Sequence, residues 1–229
     1  MGEIGDGGRP WGGKVHELGK MSSALEELVD LMCNENMGPS VMRDLVAESG
    51  RLAAIQHKKI TFPLADADHE SDLALQQRTI LISVATAGDF MQPGVSQIFP
   101  LASIYKVGIE RINKMPHVYF NTMEWRPNYG KTHAIIVDPM LATGGTANAA
   151  IDLAYEFHVE TVSLLSILAA PEGITAVHNM WPDTEIFVLK IAEGLDENAY
   201  IVGPRLGDCG DRCQNRPHKV YNTDQAAAV

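Results

Sequence analysis

Cysteine and long apolar runs are both scarce in this sequence of 229 residues. Its three cysteines, Cys33, Cys209 and Cys213, are too few for a disulfide framework, so we expect a reducing, cytoplasmic environment. No stretch approaches the roughly 18 consecutive apolar residues that a transmembrane helix needs, and the first residues lack the apolar segment of a secretory signal. We therefore expect no association with a membrane.

Positive charge is also in short supply. Eighteen Lys and Arg residues stand against 29 Asp and Glu residues, which gives a net charge of −11. A surface this negative repels phosphate backbones, so no nucleic-acid partner is expected. An anionic ligand needs a locally positive pocket or a neutralising metal ion. Hydrophobic residues at 45% and charged residues at 21% are typical of a globular protein and exclude a disordered chain.

The first residues are rich in glycine, and the pattern becomes helical after them. Residues 1–13 contain six glycines and a proline, and we expect a flexible tail over residues 1–19 before a single domain over 20–229. Apolar residues recur at helical spacing over residues 24–32 and 41–55, with Ser40 as a candidate N-cap of the second helix. The domain should therefore begin with a helical region.

From residue 79 onward, apolar runs alternate with helical patterns. The runs are rich in β-branched residues and lie at residues 79–84, 103–107, 134–137, 162–168 and 186–191. Helical patterns occupy residues 89–98, 145–157 and 172–180. Uninterrupted apolar runs suit strands that are buried on both faces. The predicted fold is α/β, a doubly wound and mostly parallel sheet with flanking helices.

The loop after the third apolar run carries the strongest chemical signal. Gly144 and Gly145 allow close approach of a ligand, Thr143 and Thr146 supply hydroxyl groups, and a helix then begins with free N–H groups. Such a loop suits a phosphate. Asp138, at the end of the strand, suits the hydroxyl groups of a sugar or a Mg²⁺ ion instead. A ribose phosphate would satisfy both halves of the loop.

The same loop also has a simpler, purely structural interpretation. An ordinary strand–turn–helix with a glycine-rich turn is the simplest alternative. A nucleotide site of the common types is not indicated, because the chain contains no Gly-x4-Gly-Lys-[Ser/Thr] motif and no Gly-x-Gly-x-x-Gly after a strand.

The segment IIVDPMLATGGTA, residues 135–147, resembles the phosphoribosyl-pyrophosphate (PRPP) loop of the type I phosphoribosyltransferases. Its core DPMLATGG has the form found in the uracil phosphoribosyltransferase family. AAPEGITAV at residues 169–177 continues the resemblance, and EGLDENAYIVGPRLGDCGDR at 193–212 is similar to the family's base-binding signature. The likeness is weaker in TAGDFMQPGV at residues 86–95 and in Gly108-Ile109-Glu110-Arg111.

The resemblance implies two binding loops, a PRPP loop over residues 135–147 and a base loop over 200–212. Asp138 would bind the ribose hydroxyls, Arg111 the pyrophosphate, and Asp208 would help to orient the PRPP–metal complex; these three form the implied catalytic set. The implied PRPP-binding residues are Asp138, Pro139, Met140, Leu141, Ala142, Thr143, Gly144, Gly145, Thr146, Arg111 and Thr86. The implied base-binding residues are Ile201, Gly207, Asp208 and Cys209.

The sequence departs from the family pattern at three places. Thr86 stands where the family has an arginine that binds pyrophosphate. The base loop reads Gly203-Pro204-Arg205-Leu206, with one extra residue and an added arginine, and Cys209 replaces an alanine. We expect Arg111 and Mg²⁺ to compensate in part for the missing arginine, and Arg205 to serve the base side.

The function implied by the resemblance is transfer of the phosphoribosyl group of PRPP to uracil, giving UMP and pyrophosphate in pyrimidine salvage. The implied cofactor is Mg²⁺ carried by PRPP rather than by protein ligands, and the implied assembly is a homodimer or a higher homo-oligomer. Two alternatives stay open: an enzyme of the same fold that uses another acceptor, and a catalytically silent ligand sensor.

The remaining candidates have simpler interpretations. Cys209, Cys213 and His218 lack a fourth ligand for zinc, and no histidine is placed to activate Cys209. The cluster at residues 57–59, His-Lys-Lys, is expected to be a solvated helix end, and contact with a phosphate across a subunit boundary is the alternative. Trp125 and Arg126 lie where the family has a mobile flap and are candidate ligand contacts.

Overall fold

Helices cover both faces of one central sheet in the computed structural model, which describes residues 11–63, 69–113, 115–124 and 132–216. Its strands are β1 (Val15–Glu17), β2 (Thr79–Ala85), β3 (Ser103–Ile112), β4 (Met115–Asn121), β5 (His133–Val137), β6 (Met140–Leu141), β7 (Thr161–Ala169), β8 (Glu185–Ile191), β9 (Gly194–Leu195) and β10 (Ile201–Val202). Its α-helices are α1 (Ser23–Met32), α2 (Pro39–Thr61), α3 (His69–Gln77), α4 (Gly88–Ile98), α5 (Gly145–Glu156), α6 (Pro171–Met180) and α7 (Cys209–Gln214).

The main sheet has the strand order β1-β8-β7-β5-β2-β3-β4, and β6 pairs with β7 beside this path. In this spatial order, every neighbouring pair from β1 through β8, β7, β5 and β2 to β3 is parallel. Strands β3 and β4 form an antiparallel hairpin. Strands β9 and β10 form a separate antiparallel pair. Because the central strands run in one direction, their carboxyl ends lie at one edge of the sheet, where ligands bind in folds of this kind.

Two apolar cores lie on opposite faces of this sheet. Along β2, Leu81 packs into the core formed with α1, α2 and α4, while Ile80 and Ile82 pack into the core on the α5 and α6 side. Phe187 and Val188 on β8 divide between the two cores in the same way. Side chains alternate between the faces of a strand, so a strand covered on both sides must be apolar throughout. This is why the five apolar runs predict strands correctly.

The structure confirms the predicted α/β class with a mostly parallel sheet and flanking helices. Each of the five predicted strands and three downstream helices is present within a few residues of its expected bounds. Helices α1 and α2 form the predicted helical N-terminal region. Among the described residues, no helix is both long enough and apolar enough to cross a membrane.

The sequence predicts a flexible tail over residues 1–19. For residues 11–19, which the structure describes, this prediction is wrong. Strand β1 pairs in parallel with β8, Leu18 is fully buried, and the indole N–H of Trp11 donates to Thr175 Oγ1 at 3.0 Å. A strand of three residues has no periodicity to detect, and the glycines around it suggested a loop. Residues 1–10 lie outside the described residues.

Two further details differ from expectation. Helix α2 begins at Pro39 with Gly38 as its N-cap, so Ser40 is not the cap. Proline suits the first turn of a helix because its fixed φ is helical and its missing N–H is not needed there. Strand β4 was not predicted, because it is an edge strand with mostly exposed side chains and no apolar run.

A pair of buried histidines joins α2 to β5. His57 is fully buried, and its Nε2 lies 3.2 Å from Nε2 of His133, whose Nδ1 lies 2.8 Å from Thr161 Oγ1. Burial lowers the pKa of His57 well below its usual value and that of His133 to about 3. Both rings are therefore neutral near pH 7. The solvated helix end predicted at residues 57–59 is wrong for His57, which packs among Phe62, Phe99 and Phe187.

We predict that this pair makes the fold sensitive to acid. A histidine whose pKa is lowered by folding binds fewer protons folded than unfolded, so stability is full above about pH 6.5 and falls as the pH drops. Each histidine contributes a slope of up to about 1.4 kcal/mol per pH unit. Urea unfolding of His57→Leu between pH 7.5 and 4.5 should show a shallower loss of the free energy of unfolding than the unsubstituted chain.

The control for this prediction is His117→Gln, on the exposed strand β4. That side chain is exposed, so its replacement should leave the buried pair, and the loss of stability in acid that the pair causes, unchanged. An unchanged slope in His57→Leu would contradict the role of the buried pair.

Candidate functional site

A cavity of about 290 Å³ opens at the carboxyl ends of β2 and β5. It is lined by the end of β2 and the turn after it, by one residue of β3, by the loop after β5, by the first turn of α5 and by the loop and first turn of α7. The lining residues are Val84, Ala85, Thr86, Ala87, Ile109, Asp138, Met140, Thr146, Asp208, Gly210 and Asp211. The cavity therefore lies where the sheet topology places a ligand site.

Asp138 follows β5 directly and is only 9% exposed. One of its carboxylate oxygens, Oδ1, accepts the backbone N–H of Met140 at 3.3 Å. Burial raises the pKa of Asp138 to about 6, while this hydrogen bond and the nearby charge of Arg111 oppose the rise. The carboxyl group is thus mostly ionised at neutral pH, with a pKa close enough to respond to mild acid.

The loop after Asp138 has the geometry expected of an anion cradle. Gly144 adopts φ +81°, and a Cβ on it would lie 2.8 Å from Ala176 Cβ and 2.9 Å from the carbonyl oxygen of Gly173. Only glycine combines that backbone conformation with this close approach of α6. Helix α5 then begins at Gly145 without a side-chain cap, and its first intrahelical bond is donated by Asn148 to Gly144 O at 2.8 Å. The amides before Asn148 can therefore bind a ligand.

The turn at Thr86 is held against the same loop. A Cβ on Gly88 would lie 2.3 Å from the carbonyl oxygen of Val137, so glycine is needed where the start of α4 crosses the end of β5. Thr86 itself is exposed and lines the cavity. Thr86 and Asp138 thus line the same cavity.

Arg111, on β3, reaches the PRPP-loop residues from the other side. Its Nη2 donates to Thr143 Oγ1 at 3.3 Å, and its charge acts on Asp138. A guanidinium group in this position is able to contact an anion bound at the start of α5. The structure thus brings together Asp138, Thr143, Thr146 and Arg111, four of the residues predicted from the sequence.

The base loop meets the cavity through the start of α7. Asp208 is the N-cap of this helix, and its Oδ1 accepts the N–H of Asp211 at 2.9 Å. Asp208, Gly210 and Asp211 line the cavity, whereas Ile201, Gly207 and Cys209 are not among the lining residues. Sequence reasoning did not single out Gly210 and Asp211, although both lie within the base-binding signature.

Cys209 is a buried residue of the core beneath the loop. It is 2% exposed, and a hydrogen bond with Cys213, together with burial, raises the pKa of its thiol well above the usual value. A thiol with a raised pKa is a poor nucleophile. No group of three or more His, Cys, Asp or Glu residues within the described ranges is arranged to hold a metal ion, and His218 lies outside those ranges.

Arg205 does not line the cavity. Its side chain is 52% exposed, and its Nη2 lies 3.7 Å from Asp196 Oδ2 in the turn between β9 and β10. The structure therefore gives no support to a contact between Arg205 and the base. Trp125 and Arg126, the candidate flap residues, lie outside the described residues.

The charge of the cavity lining is negative. Asp138, Asp208 and Asp211 carry carboxylates, and no Lys or Arg of the described residues lines the cavity. Carboxylates bind hydroxyl groups and divalent cations and repel bare phosphates. The site is therefore suited to a sugar whose anionic groups reach the helix terminus of α5 and the side chain of Arg111, or travel with a cation.

Comparison with known proteins identifies the family. The family model for uracil phosphoribosyltransferase matches residues 35–215 of the chain. The chain belongs to the uracil phosphoribosyltransferase family. It is accordingly a PRPP-dependent phosphoribosyltransferase, and the match spans both loops around the cavity.

Individual relatives agree with this assignment. The uracil phosphoribosyltransferase of Caldanaerobacter subterraneus subsp. tengcongensis is 34% identical over 197 residues, which cover 82% of this chain and 92% of the relative. That of Synechocystis sp. is 32% identical over 192 residues, covering 79% and 88%. Among solved structures, the AQ2163 protein from Aquifex aeolicus superposes with a TM-score of 0.75 at 24% identity, over 87% of this chain and 97% of that one, and shares the fold.

We predict that the two glycines of the loop differ in their roles. A Cβ on Gly145 would have its nearest neighbour, Thr143 Oγ1, at 3.8 Å, so Gly145→Ala should fold normally. The new methyl group would nevertheless stand at the helix terminus where a phosphate approaches, and PRPP affinity should fall about tenfold in a calorimetric titration.

Gly144→Ala is the comparison variant, because strain at positive φ and the contact with α6 should cost it roughly 1–3 kcal/mol of stability. Thermal unfolding separates the two variants. Undiminished PRPP affinity in folded Gly145→Ala would rule out the anion cradle.

Proposed function

We propose that the chain transfers the phosphoribosyl group of PRPP to uracil and releases UMP and pyrophosphate. The observation that carries this proposal is the position of Asp138 and the α5 terminus across one cavity from Asp208, in a chain that matches the family model over residues 35–215. The loop after β5 is suited to the ribose phosphate, and the base loop lies on the opposite side of the reacting ribose carbon, C1.

Binding of PRPP is assigned to the loop after β5. The Asp138 carboxylate accepts hydrogen bonds from the 2′- and 3′-hydroxyls of the ribose. The 5′-phosphate lies on the backbone amides of residues 144–147 and on the hydroxyl groups of Thr143 and Thr146, where the positive end of the α5 dipole favours a negative charge.

Catalysis is assigned mainly to positioning and to stabilisation of charge. A ring nitrogen of uracil forms the new bond to C1 of the ribose as the bond from C1 to the pyrophosphate oxygen breaks, and positive charge develops on the ribose ring. The bonding electron pair leaves with pyrophosphate, which Arg111 contacts. The fixed backbone of the base loop presents N–H and C=O groups that match the alternating donors and acceptors of uracil.

The residues present fit a divalent cation that arrives with PRPP. The cavity has three carboxylates and no basic lining side chain, so a bare pyrophosphate would be repelled. We assign this ion as Mg²⁺, near Asp208 and Asp211; it would neutralise the leaving pyrophosphate.

The alternatives receive less support. The relatives that match most of the chain are named uracil phosphoribosyltransferases, which favours uracil over another acceptor. The intact loop around Asp138 argues against a silent sensor, although Thr86 lacks the charge of an arginine. A homodimer or higher homo-oligomer and a cytoplasmic location stay predictions.

The direct test is release of pyrophosphate from PRPP and Mg²⁺ against a panel of purine and pyrimidine bases. We expect uracil to be the preferred acceptor, and removal of the divalent ion with EDTA to abolish turnover. Preference for another base would support the second candidate function, and binding of PRPP without turnover on any base would support the sensor.

For Asp138, we predict that Asp138→Asn stays folded and loses about 10²-fold in kcat/KM for PRPP, because the ribose is no longer held in position. The ionised carboxylate is the form that accepts hydroxyl bonds, so activity of the unsubstituted chain should fall as the pH drops through about 6. Phosphate groups of PRPP titrate in the same range and affect both proteins. The contribution of Asp138 is therefore the difference between the pH profile of the unsubstituted chain and that of Asp138→Asn. Identical profiles would remove its role.

For Thr86, we predict that Thr86→Arg lowers the KM for PRPP about tenfold. The position is exposed and lines the cavity, so an arginine has room, and one charge-assisted contact contributes roughly 1.5–3 kcal/mol. Thr86→Gln is the control of similar length without charge and should leave KM almost unchanged. Equal effects of the two variants would show that charge is not what Thr86 lacks.

A further inference from the structure

Arg212, on α7, is a buried cation that the mechanism above does not use. It is 8% exposed, and its guanidinium group donates to three backbone carbonyls. Nη1 donates to Met32 O and to Leu206 O, both at 2.5 Å, and Nη2 donates to Asn34 O at 2.7 Å. Met32 and Asn34 lie at the end of α1, whereas Leu206 lies in the base loop.

These contacts explain how a cation is tolerated in the interior. The last carbonyls of a helix lack intrahelical partners and carry the negative end of its dipole, so they offset part of the cost of burying a charge. Among the ion pairs of the described residues, none involves Arg212. Its bonds to backbone carbonyls are therefore its main polar partners.

The side chain also lies alongside the residues that follow Leu206. A Cβ on Gly207, which has φ +71°, would be 3.4 Å from Arg212 Cδ. The backbone N–H of Arg212 donates to Asp208 O at 3.0 Å. Leu206 and Gly207 of the base loop thus lie against one buried side chain, Asp208 is bonded to the backbone of the same residue, and the side chain is also bonded to the end of α1.

We propose that Arg212 is a positioning residue of the base site, which sets the place of residues 206–208 by tying the base loop to the end of α1. The inference rests on the proposed role of this loop in binding uracil. A loop that reads a base through its backbone has to be held to within a fraction of an ångström, because no flexible side chain can correct a displacement. Three bonds from one planar group provide that constraint.

A second arginine supplies a matched control. Arg43, on α2, donates from Nη1 to Cys213 O at 2.7 Å and so holds the far end of α7. It stabilises the same short helix without contacting residues 206–208 in the described hydrogen bonds. A general loss of support for α7 should follow from changing either arginine, whereas displacement of the base loop should follow only from changing Arg212.

The experiment compares Arg212→Lys, Arg212→Gln and Arg43→Gln in the full chain, with separate KM values for uracil and PRPP, kcat and the thermal unfolding midpoint. A lysine ammonium cannot reproduce the fork that reaches both segments, so Arg212→Lys should raise the KM for uracil at least tenfold and change that for PRPP less than twofold. Arg43→Gln should lower the midpoint and leave the KM for uracil within twofold. Arg212→Lys keeps the charge and serves as the test if Arg212→Gln does not fold.

Three results would overturn the inference: an unchanged KM for uracil in folded Arg212→Lys, equal rises in both KM values, or an equal effect of Arg43→Gln. Failure of the proposed function is a different observation, because the unsubstituted chain would then form no UMP from PRPP and uracil, and the inference would fall with it. If the unsubstituted chain is active and the Arg212 variants keep its KM for uracil, the inference is rejected and the proposed function is not.

Discussion

Parallel pairing of β5 with β2 on one side and β7 on the other is the constraint on which the site depends. It aligns the ends of these strands, so the turn after β2 and the loop after β5 meet. Contact between Gly88 and the carbonyl of Val137 then fixes the distance between them. Packing on both faces holds the ends of these strands in place, so the turn after β2 and the loop after β5 start from fixed positions.

The electrostatics of the cavity follow from the same arrangement. Asp138 ends a buried strand, and its desolvation raises its pKa, while the α5 terminus beside it offers partial positive charge. Positive and negative features therefore alternate over a short distance. A substrate with hydroxyl groups, a phosphate and a metal-bound pyrophosphate complements such a surface better than a purely anionic ligand does.

The sequence predicted those features that depend on local pattern. Apolar runs buried on both faces indicated the main strands, and glycines near Asp138 indicated the loop between β5 and α5. Features that depend on distant contacts were beyond such reasoning. His57 precedes two lysines and was expected to be solvated, although it is buried and its ring contacts His133 of β5.

The base loop shows the same limit more clearly. The family resemblance located Asp208 and Gly207, but no local signal assigns the side chain of Arg212 to carbonyls of α1 that lie up to 180 positions earlier in the chain. Long-range partners of this kind become visible only when the topology is known. Asp211 lies within the signature, but nothing in the local sequence indicates that its carboxylate lines the cavity.

The position of β1 has a consequence for the order of folding during synthesis. The backbone N–H of Ile191 donates to Glu17 Oε1 at 3.1 Å, across 174 positions of the chain. The ribosome makes β1 long before its neighbour β8. Bringing two such distant segments together costs chain entropy, and the contacts that offset this cost exist only when the rest of the sheet has formed. The first strand to be synthesised is therefore among the last to dock, and until it does the edge of β8 stays open to pairing with another chain.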